Sequence, residues 1–87
     1  MASVGGLTPS ELAVFAVLCA LRLRGVEEVS ASQLAPLLLR SASHTEKLLR
    51  SLEAKGVVER SAPGRWRLRE GWERLWMELL EEAERNV

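Results

Sequence analysis

The sequence predicts an α+β domain that is mostly helical, with four helices and one two-stranded hairpin. Three observations predict it. Thr8, Ser30 and Ser43 are each followed three positions later by Glu or Gln, which is the capping-box pattern of a helix start. The segment RWRLR at 65–69 alternates charged and apolar residues with the period of a strand. Residues 70–87 carry an apolar stripe at helical spacing.

The composition is that of one soluble globular domain covering residues 1–87. Hydrophobic residues make up 47% of the chain and charged residues 28%. The apolar run at 12–21 is about half as long as the roughly 20 residues that a membrane span needs. We therefore expect no membrane span. No basic patch precedes the run and no A-x-A-type cleavage site closes it, so we expect no signal peptide either. The single cysteine, Cys19, is expected in the core of an intracellular, cytoplasmic protein.

The net charge of zero conceals a strong division of charge along the chain. Residues 1–39 contain two arginines against three glutamates, a net charge of −1. Residues 40–69 contain eight basic residues against three glutamates, a net charge of +5. Residues 70–87 contain two arginines against six glutamates, a net charge of −4. The middle of the chain is therefore a basic module, and the C-terminal part is acidic.

The first two helices follow an N-terminus, at 1–6, that we expect to be loose. The first helix runs to about Arg24, and its segment LAVFAVLCAL is apolar on every face. A thin domain covers only one side of such a helix, so we expect a second chain to cover the other. The second helix opens at Ser30, and its Pro36 predicts either a kink or a true start nearer Ser32.

The third helix is expected to be capped at Ser43 and ended by Gly56. Its inward stripe consists of Thr45, Leu48, Leu49 and Leu52. The outer face is left with His44, Lys47, Arg50 and Ser51.

Two strands, at 57–61 and 65–69, flank the turn-forming segment APG. Alternation places Trp66 and Leu68 on the face that packs on the helices, and an arginine row on the other face: Arg65, Arg67 and Arg69. A last helix follows at 70–86. Its apolar stripe consists of Trp72, Leu75, Trp76, Leu79, Leu80 and Ala83.

This order of elements resembles that of a winged helix-turn-helix domain. The segment SQLAPLLLRSASHTEKLLRSLEAKGVVER is similar to the core pattern of MarR-, ArsR- and PadR-type transcriptional regulators. The matching residues are Leu34-Ala35, Ser43, Leu52-Glu53, Gly56-Val57-Val58 and Glu59-Arg60. The resemblance covers about residues 30–69. It implies a core with a three-helix bundle over 7–69, a two-stranded wing at 57–69, and an additional C-terminal helix at 70–86.

The resemblance also implies a function, which is sequence-specific binding of double-stranded DNA by a small dimeric transcriptional regulator. The third helix would be the recognition helix, lying in the major groove. The residues that would contact DNA are Ser41, Ser43, His44, Lys47 and Arg50 around this helix and Arg65 and Arg67 on the wing. A nucleoid-associated location follows from this function.

The apolar surface of the first and last helices predicts that the chain forms a homodimer. The interface residues that we expect are Phe15, Trp72, Leu75, Trp76, Leu79 and Leu80. The chain departs from the family pattern in the turn before the third helix. Where the families have glycine and then an apolar residue, this chain has Leu39 and Arg40. We expect a different turn conformation, or a turn that lies one residue away.

Catalysis and cofactor binding are not expected. The chain has no Asp, one His and no glycine-rich phosphate loop, so an enzyme is improbable. One His and one Cys cannot form a metal site of nitrogen and sulfur ligands. Two alternatives to a regulator stay open: a winged-helix module that binds protein, favoured by the acidic tail, and an architectural DNA-binding protein with little sequence preference.

Overall fold

The computed structural model describes residues 4–87. Its elements, in chain order, are α1 (Pro9–Leu23), α2 (Ala31–Leu38), α3 (Ala42–Ala54), β1 (Val58–Ala62), β2 (Arg65–Leu68) and α4 (Trp72–Arg85). The protein is therefore a small, mostly helical α+β structure with one antiparallel two-stranded sheet, as predicted. Within the described residues, none of the helices has the length and apolar character needed to cross a membrane.

The predicted capping boxes at Thr8 and Ser30 are confirmed. Thr8 Oγ1 accepts a hydrogen bond from the Glu11 amide at 3.2 Å, and Glu11 Oε1 accepts one from the Thr8 amide at 2.8 Å. Ser30 and Gln33 form the same reciprocal pair, with distances of 3.2 and 2.8 Å. Helix α2 therefore starts directly after Ser30 and not nearer Ser32, and Pro36 lies inside it.

The start of α3 differs from the prediction by two residues. Ser41 is the N-cap, and its Oγ accepts a hydrogen bond from the His44 amide at 3.1 Å. Thr45 Oγ1 donates to the Ser41 carbonyl at 2.9 Å, which ties a fully buried side chain to the same cap. The predicted capping box of Ser43 and Glu46 is therefore wrong, because Ser43 already lies inside the helix.

The turn between α2 and α3 passes through Leu39, whose φ of 55° is in the left-handed region. No other non-glycine residue among 4–87 has a positive φ. This backbone conformation costs an L-residue roughly 1–2 kcal/mol. The Leu39 side chain is 93% exposed, so its own packing does not offset that cost. Leu39, at the position where we expected the turn to differ for lack of a glycine, takes the left-handed conformation that favours glycine.

Helices α1, α2 and α3 pack around a core that the hairpin closes. The largest fully buried side chains are Trp66, Phe15, Leu34, Leu49 and Leu52. Trp66 comes from the strand face that the alternation predicted to be buried. Cys19 is also buried, as expected; burial, with the nearby charge of Glu73, raises the pKa of its thiol to about 12. The thiol is therefore protonated at neutral pH.

The prediction that Phe15 belongs to a dimer interface is wrong. Its side chain is fully buried within the single chain, so it offers no surface to a second copy. One chain covers one side of α1, and Ala13, Ala20 and Leu23 remain exposed. Apart from Leu23, which is 62% exposed, the large apolar residues of α1 are buried or half-buried by their own chain.

A one-residue extension of the sheet was not foreseen. Val29, in the connection from α1 to α2, exchanges two backbone hydrogen bonds with Trp66. The Val29 amide donates to the Trp66 carbonyl at 2.9 Å, and the Trp66 amide donates to the Val29 carbonyl at 2.8 Å. Strand β2 is therefore paired with β1 on one edge and with Val29 on the other, which ties the hairpin to the connection between α1 and α2.

Helix α4 lies against the core through half-buried side chains and has no fully buried residue. The side chains that pack on the core are Trp72, Leu75, Trp76 and Leu79. Leu75 packs on Gly5, where a Cβ atom would lie 2.6 Å from Leu75 Cδ1. Val4 and Leu7 are buried as well, so the loose N-terminus expected over 1–6 is wrong for residues 4–6. Residues 1–3 lie outside the described part of the chain.

Candidate nucleic-acid interface

The outer face of α3 is polar and basic. Ser43, Lys47 and Arg50 follow one another at helical spacing, and all three are exposed. The opposite side is anchored in the core by the fully buried residues Thr45, Leu49 and Leu52. Arg50 also pairs with Glu46 of the same helix at 3.4 Å. The helix is therefore held by its apolar stripe and presents a row of hydrogen-bond donors to solvent.

The N-terminal end of α3 carries a further basic group that was not among the predicted contact residues. Arg40 Nη1 lies 3.1 Å from His44 Nε2, and Arg40 Nη2 donates to Ser10 Oγ at 3.3 Å. Arg40 therefore bridges the first turn of α3 and the first turn of α1. Arg40 thus orients His44 and adds a positive charge beside the start of the helix.

The C-terminal half of α3 is fixed to the start of α1 by one buried carboxylate. Glu11 Oε1 accepts from Lys55 Nζ at 2.5 Å, and Glu11 Oε2 accepts from Ser51 Oγ. Lys55 Nζ also donates to the Gly6 carbonyl at 3.1 Å. Ser51 is therefore half-buried and faces α1, so its predicted place on the outer face is wrong.

The ionisation of Glu11 follows from these contacts. Burial by itself would raise the pKa of this carboxyl. The hydrogen bonds from Lys55, Ser51 and the Thr8 amide, with the charge of Lys55, outweigh burial and lower the pKa from 4.5 to about 2. The pair is therefore charged at neutral pH, and it sets how α3 lies on α1.

The hairpin turns at Pro63 and Gly64, where Gly64 has a φ of 72°. Proline followed by a glycine at positive φ is the residue pair of a type II turn. The cross-strand partners are Val58 with Leu68, Glu59 with Arg67, and Arg60 with Trp66, and Ser61 forms a bulge before Ala62 pairs with Arg65. The three arginines of β2 and its end, Arg65, Arg67 and Arg69, are exposed while Trp66 is buried, as the alternation predicted.

Most guanidinium groups of the hairpin already have a partner. Arg67 Nε lies 2.7 Å from Glu59 Oε2, and Arg69 Nε lies 3.8 Å from Glu59 Oε1. Arg60 lies over the ring of Trp66, 4.6 Å from its centroid. Among residues 4–87, Arg65 at the tip forms no ion pair. Fewer of the hairpin arginines are therefore free to bind another group than the sequence suggests.

An open groove of about 350 Å³ lies beside the hairpin, between β2, the end of α1 and the start of α4. Its charged lining includes two ion pairs, Arg22 with Glu27 at 3.6 Å and Arg67 with Glu59 at 2.7 Å. Within residues 4–87, no group of three or more His, Cys or Glu side chains is placed to hold a metal ion.

The structure brings four of the predicted contact residues together on one exposed surface of α3: Ser43, His44, Lys47 and Arg50. Ser41 is exposed beside them, but its Oγ is already the helix cap. Arg65 and Arg67 lie on the hairpin. Sequence reasoning missed Arg40, although its position four residues before His44 is a usable signal, and it missed the pairing role of Glu59. No family model matches this sequence, and no curated protein or solved structure matches it.

Proposed function

We propose that this chain is a winged-helix protein that binds double-stranded DNA with sequence preference and acts as a dimeric transcriptional regulator. One observation carries the proposal. The outer face of α3 and the exposed face of the hairpin are both basic, and they project from one small core. A location with the chromosome, in the cytoplasm, is part of the same proposal.

Helix α3 has the features of a recognition helix. A major groove about 12 Å wide admits one α-helix with its side chains. Lys47 and Arg50 are exposed on the helix face that points away from the core, and Ser43 lies one turn before Lys47. Lysine and arginine read guanine by donating to its O6 and N7 atoms, so these two residues are the ones that we assign to base contacts.

The hairpin has the features of a phosphate-binding wing. Arginine contacts to phosphates position a protein on DNA and carry no sequence information directly. Arg65 lies next to the Pro63-Gly64 turn and is exposed, so it can extend furthest from the core. Arg67 is the second wing residue that we assign to phosphate, and its Nε already donates to Glu59.

Helix α4 is the part of the structure that we assign to a homodimer. Its apolar stripe is only half-buried by its own chain, and Met77 and Leu80 remain exposed at its side. Of the predicted interface, Trp72, Leu75, Trp76 and Leu79 would be covered from one side by the core and from the other by the partner. A dimer of this kind would place two recognition helices roughly 34 Å apart, one turn of DNA.

A protein-binding module is the second candidate, favoured by the surface of α2 and the following turn. Leu37 and Leu39 are exposed there, 59% and 93%, with no charged residue between them. Exposed leucines contact a protein partner more favourably than a phosphate backbone. The net positive charge of residues 40–69 favours DNA binding instead, since a surface that binds an apolar partner does not need that charge.

Selection of bound duplexes from a random-sequence library tests the proposal. The wild-type protein is expected to enrich one pseudo-palindromic sequence. Lys47→Ala and Arg50→Ala are expected to change the enriched sequence. Arg65→Ala and Arg67→Ala should enrich the wild-type sequence with weaker binding, because they contact phosphates only. Enrichment of no sequence, with duplexes still bound, favours an architectural protein, and no bound duplex at low salt favours the protein-binding module.

A further inference from the structure

We propose that Glu59 is a built-in competitor of DNA phosphate: by pairing with Arg67 and Arg69, it limits the sequence-independent part of DNA binding. This inference rests on the proposed function. It concerns a carboxylate in the middle of the surface that we assign to phosphate contacts.

The sheet register places Glu59 where it reaches two arginines at once. Glu59 is the cross-strand partner of Arg67, and its two oxygens lie 2.7 Å from Arg67 Nε and 3.8 Å from Arg69 Nε. The carboxylate is 39% exposed, so the pairs lie at the surface and DNA can reach them. One carboxylate therefore accepts a hydrogen bond from Arg67 and also lies within ion-pair distance of Arg69.

A carboxylate and a phosphate bind a guanidinium in the same way, through parallel N–H donors to two oxygens. A phosphate that binds Arg67 competes with Glu59 for the guanidinium, because Glu59 already accepts from its Nε–H, and the carboxylate then lies beside the DNA backbone. Both effects weaken binding to every sequence alike. Arg65 has no such competitor among the described residues, and it keeps its full attraction for phosphate.

Charge counting gives the expected size of the effect. The salt dependence of DNA binding has a slope of about −0.9 for each phosphate that the protein neutralises. Removing the charge of Glu59 releases up to two arginines, so the slope is expected to steepen by about one to two per subunit. A surface ion pair changes a binding constant by up to about fivefold, so we expect a gain of roughly twofold to tenfold at low salt.

The test compares Glu59→Gln with Glu82→Gln, each of which removes one negative charge. Glu82 pairs with Arg85 at 3.1 Å on α4, away from the hairpin, so its replacement controls for net charge. Affinity for a random-sequence duplex is measured at four salt concentrations. Glu59→Gln is expected to bind more tightly with a steeper slope, and Glu82→Gln to match the wild type. Equal slopes for the two variants would overturn the proposal.

A readout without DNA separates this proposal from the proposed function. Elution from heparin, a generic polyanion, is measured for the same proteins, together with the NMR signal of Arg67 Nε–H. Glu59→Gln should shift that signal and elute at higher salt than Glu82→Gln. If no protein binds duplex but this difference remains, the proposed function fails and Glu59 still competes with a polyanion for the arginines of the hairpin. If the heparin difference is absent, the competitor role fails whatever the DNA result.

Discussion

Lys55 Nζ lies 2.5 Å from Glu11 Oε1, and this contact joins the end of α3 to the first turn of α1. The two partners have different surroundings, since the side chain of Glu11 is 3% exposed and that of Lys55 is 36% exposed. The same carboxylate also closes the capping box of α1. One buried group therefore stabilises the start of one helix and fixes the direction of another, the helix that we assign to the major groove.

Replacing Lys55 by Met is expected to destabilise the protein by about 2–3 kcal/mol. The loss falls below the 3–5 kcal/mol typical of a broken buried pair, because Lys55 is partly exposed and water can take its place beside the Glu11 carboxylate. Urea unfolding measures the change. Lys47→Met, on the exposed face of the same helix, is the matched control and should stay within about 0.5 kcal/mol of the wild type. Equal losses in the two variants would contradict the role of the pair.

The low pKa of Glu11 predicts how stability depends on pH. The folded-state pKa of about 2 lies below the ordinary value of 4.5, so the folded state favours the ionised carboxylate. This contribution is fully present above pH 4.5 and is lost as the pH falls from 4.5 to about 2. Urea unfolding of the wild type between pH 6 and pH 2, against Glu11→Gln, measures it. The variant should lose less stability over this range; parallel curves would show that Glu11 titrates normally.

Leu39→Gly is expected to stabilise the protein by about 1 kcal/mol. Glycine adopts a φ of 55° without strain, and replacing the exposed leucine removes no packing contact with the core. Leu39→Ala keeps a Cβ in the left-handed conformation and is expected to leave stability nearly unchanged. Urea unfolding of the three proteins decides the point. A loss of stability in both variants would mean that the leucine side chain contributes to the fold, and a loss in Leu39→Gly alone would contradict the strain assigned to this position.

The proposed dimer predicts that Leu80→Lys yields a folded monomer. Leu80 is 36% exposed, so a lysine there can reach solvent in the single chain but would place a charge inside a helix–helix interface. Sedimentation equilibrium gives the mass, and circular dichroism reports the fold. Glu81→Lys, at the exposed neighbouring position, should remain a dimer. A wild-type protein with the mass of one chain, or an unchanged dimer in Leu80→Lys, would remove α4 from the interface.

Local chemistry made much of the fold predictable. A hydroxyl residue with Glu or Gln three positions later identified the starts of α1 and α2, because both partners of each cap lie within one turn. The same rule failed at α3, where Ser41 and Ser43 offer the same hydroxyl. The structure uses Ser41, whose carbonyl also accepts from Thr45 Oγ1. Ser41 and Ser43 therefore compete as caps, and sequence spacing alone does not show which one the helix uses.

Long-range pairing was not predictable in the same way. Glu11 was recognised as a cap, yet its partners Ser51 and Lys55 lie 40 and 44 residues away. Pairing of Glu59 with Arg67 depends on a register that the bulge at Ser61 sets. Phe15 was assigned to an interface because the sequence of α1 is apolar all round, whereas packing decides which side is buried. These features depend on how the elements pack together, so they leave no periodic pattern in the sequence.

Fluorescence anisotropy of the protein with labelled duplexes tests the central claim most directly. One duplex is taken from the region upstream of the coding sequence, and an unrelated duplex of equal length runs beside it, each at two salt concentrations. We expect tighter binding to the upstream duplex, and we expect the affinity to fall steeply as the salt concentration rises. The Lys47→Ala variant should lose the preference for the upstream duplex. An absence of binding to either duplex at the lower salt concentration would contradict the claim that this protein recognises DNA.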